Sequence, residues 1–320
     1  MNSSLAVSLV VSAIIYGTPL LLAGLGELLT ERSGVLNLGV EGMMLMGAVT
    51  AFWTAQRLPG SGPVVLVAAI AAAAVAGGVM ALIHAFLSIT LRANQIVSGL
   101  ALTIFAGAAG LSSYLGQEWR LGGEAGRHQL QALNVASLKD VPIAGPILFH
   151  QDGLVYLSWL LVIVVAWYLY RTRPGLYLRS VGESPAAADA MGIGVTRYRY
   201  THTVVGGALA GIGGSYFTLA LSAQWTDGLT AGAGWIAIAL VIFAFWRPGY
   251  LLIGAYFFGL LSGLGFDLQA RGVQAPSEFF SAIPYLMTVV VLVAVSTGWA
   301  KRQLGVPAAL GTPYAREEGS

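Results

Sequence analysis

The chain has 320 residues, of which 57% are hydrophobic and 9% are charged, and its formal net charge is +2. Soluble domains carry roughly 25% charged residues, so this composition excludes an ordinary soluble protein and predicts a polytopic membrane protein. The chain has no cysteine, which excludes disulfides and thiolate chemistry. We therefore predict an all-α fold of membrane-spanning helices.

Apolar runs of about 20 residues are long enough to cross a bilayer core of roughly 30 Å as helices. By that measure the sequence predicts about nine spans (eight to ten), at 5–29, 35–56, 62–90, 94–116, 154–172, 203–223, 232–247, 249–266 and 280–299. The short runs 232–247 and 249–266 predict a tight hairpin or partly re-entrant segments. Residues 1–304 are expected to form one transmembrane domain, and the tail 305–320 is expected to be disordered.

The distribution of Lys and Arg predicts the orientation of the chain. If the basic segment 173–202 is cytoplasmic, eleven of the 16 basic residues lie inside and five lie outside. The N-terminus is then outside and the C-terminus is cytoplasmic. The longest gap between spans, 117–153, lies outside, and its mixed charges suit either a folded loop or lid or a passive connector.

A short helix is predicted within segment 173–202. Ser184 is a suitable N-cap because its hydroxyl can accept from an orphan backbone N–H, and Pro185 falls at the first helical position. Gly192 can end the helix in a left-handed conformation. A small helix in a basic loop suits docking of a cytoplasmic partner. The alternative is an ordinary basic loop that only sets orientation.

Several polar residues are predicted at membrane depth or at the start of a span. Asn37 and Glu41 are four residues apart, so both project from one helical face of a Gly-rich segment. This pair suits the wall of a translocation path, but Glu41 can instead bind another helix and stabilise the bundle. Asn94 and Gln95 can likewise line a path or cap the fourth span. Glu27 is a further carboxylate at membrane depth.

The run VVGGALAGIGGSYF (204–217) predicts close helix packing, because Gly207 and Gly211 are four residues apart. It is not a phosphate loop, since no Lys follows it. Aromatic residues near span ends are expected to anchor at the membrane interface. They are Trp225, Trp235, Trp246 and Tyr250.

The sequence contains no recognisable catalytic or cofactor motif. Neither lysine lies in a GxxxxGK[ST] sequence, so an ATP-binding P-loop is excluded. The four histidines lack HExxH spacing, and there is no GxSxG elbow. We expect no catalytic residue, no cofactor or metal bound by this chain, and no nucleic-acid partner.

Three blocks carry a family resemblance. They are GTPLLLAGLGELLTERSGVLNLGVEGMMLMGA (17–48), RANQIVSGLAL (92–102) and RSVGESPAAADAMGIGVTRYRYTHTVVGGALAGIGGSYF (179–217). These blocks resemble the permease subunits of bacterial nucleoside ABC importers, within the larger branched-chain amino acid and simple-sugar permease family. The resemblance runs from about residue 10 to about residue 300, and it is greatest to the shorter permease of the nucleoside systems.

The resemblance implies a type II ABC importer-like permease whose short cytoplasmic coupling helix binds the ATPase subunit. The residues that match the coupling block are Gly182, Glu183, Ser184, Pro185, Ala188, Gly192 and Ile193. It also makes Asn37, Glu41, Asn94 and Gln95 candidate pathway residues. Larger members have ten spans and a cytoplasmic N-terminus, whereas the charges here predict nine spans and an external N-terminus.

We therefore expect a transport subunit in the bacterial inner membrane, and not an enzyme. A second permease would complete the nucleoside pathway, two ATPase chains would bind ATP and Mg²⁺, and an external lipoprotein would deliver substrate. The alternative within this architecture is a simple-sugar permease. The alternative of another class is a stand-alone ion-coupled carrier or channel with Glu27 or Glu41 as a proton or cation site. An intramembrane enzyme ranks third, for want of a nucleophile–base pair.

Overall fold

The computed structural model describes residues 3–123, 126–134, 138, 141–270, 272, 276–295 and 305–315. The helices within these residues are α1 (Ser3–Arg32), α2 (Val40–Arg57), α3 (Gly62–Ala85), α4 (Gln95–Ala106), α5 (Leu111–Glu118), α6 (Gly153–Arg171), α7 (Arg173–Glu183), α8 (Pro185–Ala190), α9 (Val195–Tyr216), α10 (Ala233–Phe243), α11 (Pro248–Ala270) and α12 (Ser277–Val295).

Short π-helical turns and one small sheet complete the described secondary structure. Phe86–Thr90 extends α3 and Phe217–Leu221 extends α9, while Gly145–Phe149 lies in the loop before α6. The strands β1 (Leu133–Asn134) and β2 (His150–Gln151) pair antiparallel.

Six segments of the described chain are long and apolar enough to cross a membrane. They are Leu5–Arg32, Gly62–Thr90, Gln95–Glu118, Gly153–Arg171, Val195–Leu221 and Pro248–Gly265. The chain is therefore an all-helical, multi-pass membrane protein, as its composition predicts. Two shorter apolar stretches lie in α10 and α12. The finer prediction of nine spans stays a prediction.

Helices α1 and α9 form the centre of the bundle, because both contact several long helices. A Cβ on Gly211 of α9 would lie 2.2 Å from the carbonyl oxygen of Ala73 in α3. A Cβ on Gly26 of α1 would lie 2.3 Å from the carbonyl oxygen of Gly206. The backbones thus approach too closely for any side chain, and the close packing predicted for 204–217 is confirmed.

Segment 173–202 contains more helix than the sequence predicts. The short helix α8 lies where it is predicted, and Gly192 follows it with φ +79°. Ser184 occupies the N-cap position, but its hydroxyl makes no capping hydrogen bond, which corrects that part of the prediction. The helix α7 before it was not predicted, and α9 begins at Val195, about two turns earlier than predicted.

The predicted fourth span, 94–116, is interrupted. Helix α4 ends at Ala106 and α5 begins at Leu111, with Gly107 and Gly110 flanking the break. Two glycines so close together lower helix propensity by about 1 kcal/mol each, which explains why the helix stops here.

The predicted external segment 117–153 is folded against helix ends over its described residues. The Arg57 side chain donates to the Trp119 carbonyl at 3.1 Å, and the Leu130 N–H donates to the Leu219 carbonyl at 2.8 Å. Of the two alternatives that the sequence left open, these contacts favour a folded loop over a passive connector.

The described part of the C-terminal tail, 305–315, is packed against the helical domain, which corrects the prediction of a disordered tail for these residues. The Ala309 N–H donates to the carbonyl of Gly182 at 2.9 Å. The Ala308 N–H donates to the carboxylate of Glu183 at 3.2 Å. The tail therefore binds the end of α7, next to the predicted coupling helix.

Two of the four predicted aromatic anchors are buried. Trp246 is 2% exposed and Trp225 is 3% exposed, whereas Trp235 and Tyr250 are exposed, and their anchoring at the interface stays a prediction. Trp246 lies inside because its indole N–H binds the carboxylate of Glu31 at 2.5 Å. Proximity to a span end is therefore insufficient to identify an interface anchor.

Candidate functional site

The connector between α1 and α2, residues 33–39, is non-helical and almost wholly buried. Polar side chains from other helices bind its backbone. The side-chain oxygen of Gln95 accepts from the Leu36 N–H at 2.7 Å, and the Thr103 hydroxyl donates to the Leu38 carbonyl at 2.8 Å. Buried non-helical backbone requires such internal partners, so these residues explain how the interruption is stable.

His84 of α3 binds the same connector. Its Nε2 lies 3.0 Å from the Leu36 carbonyl, and its Nδ1 lies 3.0 Å from the Ser98 hydroxyl. A carbonyl can only accept, so Nε2 carries a proton and donates. His84 thus ties α3, α4 and the connector together. A histidine inside an apolar run is the sequence signal for such a contact, and HExxH spacing does not capture it.

Asn37, within the connector, binds Glu27 of α1. The Asn37 N–H donates to the Glu27 carboxylate at 3.2 Å, and the Asn37 side chain accepts from the Gly39 N–H at 3.0 Å. Both residues are 1% exposed. The second carboxylate oxygen of Glu27 is buried without a hydrogen-bond partner.

Glu41 binds the start of α10. Its carboxylate accepts from the Thr230 hydroxyl at 2.6 Å, the Gly232 N–H at 2.9 Å and the Gly234 N–H at 2.7 Å. Backbone N–H groups at a helix start have no intrahelical partner, and a carboxylate there also complements the helix dipole. Of the two roles considered for Glu41, these contacts favour binding to another helix and stabilising the bundle.

The two residues that open α4 differ in environment. Asn94 is exposed and caps α4, accepting from the Val97 N–H at 3.1 Å. Gln95 is 2% exposed and binds the connector. The Asn94 side chain therefore binds its own helix, whereas Gln95 binds the connector. Asn37 lies within the connector, and Glu41 follows it in the first turn of α2.

The predicted coupling residues lie at one corner formed by α7, α8 and the start of α9. Ala188 is 3% exposed and packs with Val181 and Val195, so it faces inward. Glu183 and Ser184 are exposed.

The outer face of α8 consists of small side chains followed by one large one. Ala186, Ala187 and Ala190 are exposed, and Met191 is 81% exposed. Contact with a partner at this corner would be made by these residues, which the family block does not single out. Ala188 would support them from beneath.

The fold and these buried clusters define a polytopic membrane protein with interrupted helices. The chain belongs to the family described as branched-chain amino acid transport system / permease component, whose sequence model matches residues 9–292. The chain is accordingly a permease subunit of a transport system.

Three relatives are similar over most of the chain. A putative glucose ABC transporter permease protein of Haloferax volcanii is 40% identical over 98% of this chain and 99% of its own length. A nucleoside ABC transporter permease protein of Lactococcus lactis is 35% identical over 89% of this chain and 90% of its own. A guanosine ABC transporter permease protein of Bacillus subtilis is 34% identical over 96% of each. The resemblance to nucleoside permeases is thereby confirmed.

Proposed function

We propose that this chain is one of two permease subunits of an ATP-driven importer of nucleosides. The observation that carries the proposal is the similarity, over about nine-tenths of the chain or more, to ABC permeases named for nucleosides and for guanosine. ATP and Mg²⁺ would be bound by two ATPase chains, and an external lipoprotein would deliver substrate. The chain itself would bind no cofactor and change no covalent bond of the substrate.

The α8 corner is the proposed contact with an ATPase chain. Two observations support this proposal. The outer face of α8 exposes alanines and Met191, and its inner face packs against α7 and α9 through Ala188. Closure of the ATPases on ATP would then move α8 and α7 together and switch the access of the pathway between the two sides of the membrane.

A glucose-type sugar permease is the second candidate. The specific observation in its favour is the putative glucose permease that is 40% identical over nearly the full chain. Both candidates have the same architecture and both substrates are uncharged, so family membership does not distinguish them. A stand-alone ion-coupled carrier is not supported by this family membership.

Uptake of radiolabelled guanosine and of radiolabelled glucose into proteoliposomes containing the complete importer tests the proposal. We expect guanosine uptake that requires ATP and that excess glucose does not reduce. ATP-dependent uptake of glucose alone would replace the nucleoside assignment by the sugar assignment. Uptake that follows a proton gradient without ATP would overturn both.

The proposed orientation can be tested separately, because the chain contains no cysteine. Ser61→Cys lies in the exposed turn between α2 and α3, and Met191→Cys lies at the α8 corner. In intact cells an impermeant thiol reagent should label the first and not the second. The reverse pattern would overturn the cytoplasmic assignment of α8.

A further inference from the structure

A cavity of about 520 Å³ opens between α1, the π-helical end of α9, the segment 222–232 and helices α10, α11 and α12. The residues that line it are Tyr16, Leu20, Phe217, Leu221, Ser222, Leu229, Thr230, Ala231, Ala233, Ile236, Ser262, Gly265, Gln269, Phe280, Pro284 and Tyr285. Cavities of roughly 300–1,000 Å³ are the usual size for small-molecule sites.

The cavity lies near the middle of the bundle. Glu41 binds the start of α10 and lies in the first turn of α2. From Glu41, helix α2 runs for about 16 residues, or about 24 Å, to Arg57 at one end of the bundle. In the opposite direction, α10 runs for 11 residues, about 16 Å, towards Trp246 at the other end. The start of α10 is therefore buried at an intermediate depth.

The segment 222–232 enters this depth without forming a helix. Non-helical backbone at membrane depth is tolerated only where it is buried in protein or lines a water-filled cavity. Here Ser222 and the residues 229–231 line the cavity, and the Tyr285 hydroxyl binds the Ala231 carbonyl across one edge. An interrupted segment beside a central cavity is the arrangement that transporters use for substrate.

The lining combines aromatic rings with uncharged hydrogen-bonding groups. The rings belong to Tyr16, Phe217, Phe280 and Tyr285. Hydroxyl or amide groups come from Ser222, Thr230, Ser262 and Gln269. Aromatic faces bind a planar base by stacking, and hydroxyls and an amide bind ribose or base edges. Among the lining residues that the structure describes, none has a carboxylate, ammonium, guanidinium or imidazole group.

Glu41 occupies the N-terminus of α10, which is the remaining feature near the cavity that could bind a charged group. The N-terminus of α10 would otherwise attract an anion through its free N–H groups. The Glu41 carboxylate already accepts from the N–H groups of Gly232 and Gly234, so these donors are used within the protein. An amino acid would bring a carboxylate and an ammonium group into a cavity whose lining pairs neither, and burying an unpaired charge is strongly unfavourable.

We propose that the nucleoside binds in this cavity during translocation, against its aromatic rings, and that the uncharged lining excludes amino acids. This proposal rests on the proposed function and adds to it the site and the basis of selectivity. Glu41 acts as a positioning residue, because it fixes the segment 230–234 that forms one wall.

A pair of matched phenylalanines tests the stacking contact. Phe217→Leu removes a ring from the cavity, while Phe86→Leu makes the same change at the first residue of the π-helical turn that extends α3, where the side chain is exposed. We expect the KM for guanosine uptake by the complete importer to rise about tenfold for Phe217→Leu, since the base loses an aromatic ring on which to stack. Phe86→Leu should leave KM unchanged. Equal KM values for both variants and the wild type would overturn the stacking contact.

Photolabelling locates the site without relying on a variant. Radiolabelled 8-azidoguanosine, irradiated with the assembled importer, should label peptides that contain 217–222 or 280–285, and a large excess of guanosine but not leucine should prevent labelling. Labelling confined to the other permease chain, or prevented by leucine, would overturn the proposal.

The wild-type uptake assay separates the two levels of inference. Wild-type uptake of glucose with no uptake of guanosine would refute the nucleoside function itself. Normal guanosine uptake together with labelling outside the cavity would refute only the site.

Discussion

Arg199 and Thr312 join the start of α9 to the C-terminal tail: a guanidinium N–H of Arg199 donates to the Thr312 carbonyl at 3.0 Å. Arg199 is 1% exposed, and its Nε and second terminal nitrogen are buried without hydrogen-bond partners. The neighbouring Gly311 N–H donates to the Gly34 carbonyl at 3.2 Å. The tail thus bridges the α1–α2 connector and the α7–α8 corner, so these two regions are mechanically joined.

Replacing Arg199 by methionine should release the tail. The change removes the donor to Thr312 and keeps an apolar side chain of similar length, and a hydrogen bond from a charged group contributes about 1.5–3 kcal/mol. In the cysteine-free chain, Ala309→Cys reports release, since Ala309 is 7% exposed. We expect its reaction with maleimide to accelerate about tenfold or more in Arg199→Met. Arg197→Met, on the exposed side of the same helix, is the control and should not change the rate; equal rates in both would refute the anchoring role.

Glu41→Gln should impair transport without preventing insertion of the chain. The amide can accept only at one oxygen, and its nitrogen faces the Gly234 N–H that the carboxylate now satisfies. Loss of this contact is expected to cost about 2 kcal/mol and to lower guanosine uptake about tenfold. Thr230→Val removes one further donor and Thr230→Ser keeps it, so uptake should fall for the first and not for the second. Wild-type uptake by Glu41→Gln would show that the wall of the cavity does not depend on the carboxylate.

Gly211→Ala should destabilise the bundle. Its Cβ would lie 2.2 Å from the Ala73 carbonyl oxygen, so α3 and α9 would have to separate. Overpacking of this kind costs about 1–3 kcal/mol, and we expect the Tm of the detergent-solubilised importer to fall by several degrees. Gly249→Ala is the matched control, because a Cβ there meets no atom within 4 Å. A Tm for Gly211→Ala equal to that of the control would contradict the tight contact.

Ala187→Trp should uncouple ATP hydrolysis from transport. Ala187 lies on the exposed face of α8, where a large ring would prevent close contact with a partner chain. We expect ATP-dependent uptake to fall below one-tenth of wild type while the chain still inserts and keeps its Tm. Ala71→Trp, on an exposed face of α3, should transport normally. Ala188→Trp should behave differently from both and lower the Tm, because Ala188 is buried against Val181 and Val195. Normal uptake by Ala187→Trp would argue against α8 as the contact.

Helix boundaries that are set by capping residues, prolines and glycines can be predicted from the sequence. α8 and its left-handed end at Gly192 follow from Pro185 and the glycine itself. Helix α7 also carried such signals, since the Thr172 hydroxyl accepts from the Gly175 N–H at 3.1 Å and Pro174 lies in the first turn. Its basic residues are equally typical of a cytoplasmic loop, so the charge pattern alone does not indicate a helix.

The contacts of Glu41 and of the tail could not be read from local sequence, because their partners are distant along the chain. Proline and glycine in 305–315 are typical of disorder, and only the binding surface provided by Gly182, Gly34 and Arg199 makes the segment ordered. A carboxylate in a span likewise indicates that a partner exists, but it does not identify which helix provides the donors.

The cap of α10 by Glu41 also bears on how the protein is made. Glu41 and Gly234 are separated by 193 residues. At about 5–20 residues per second, the ribosome takes roughly 10–40 s to synthesise the stretch between them. Throughout that time the carboxylate is without its donors, and α10, at 11 residues, is too short to enter the bilayer as an independent span. The wall of the cavity that Glu41 fixes is therefore completed late in synthesis, after all the helices that precede α10 in the chain have been made.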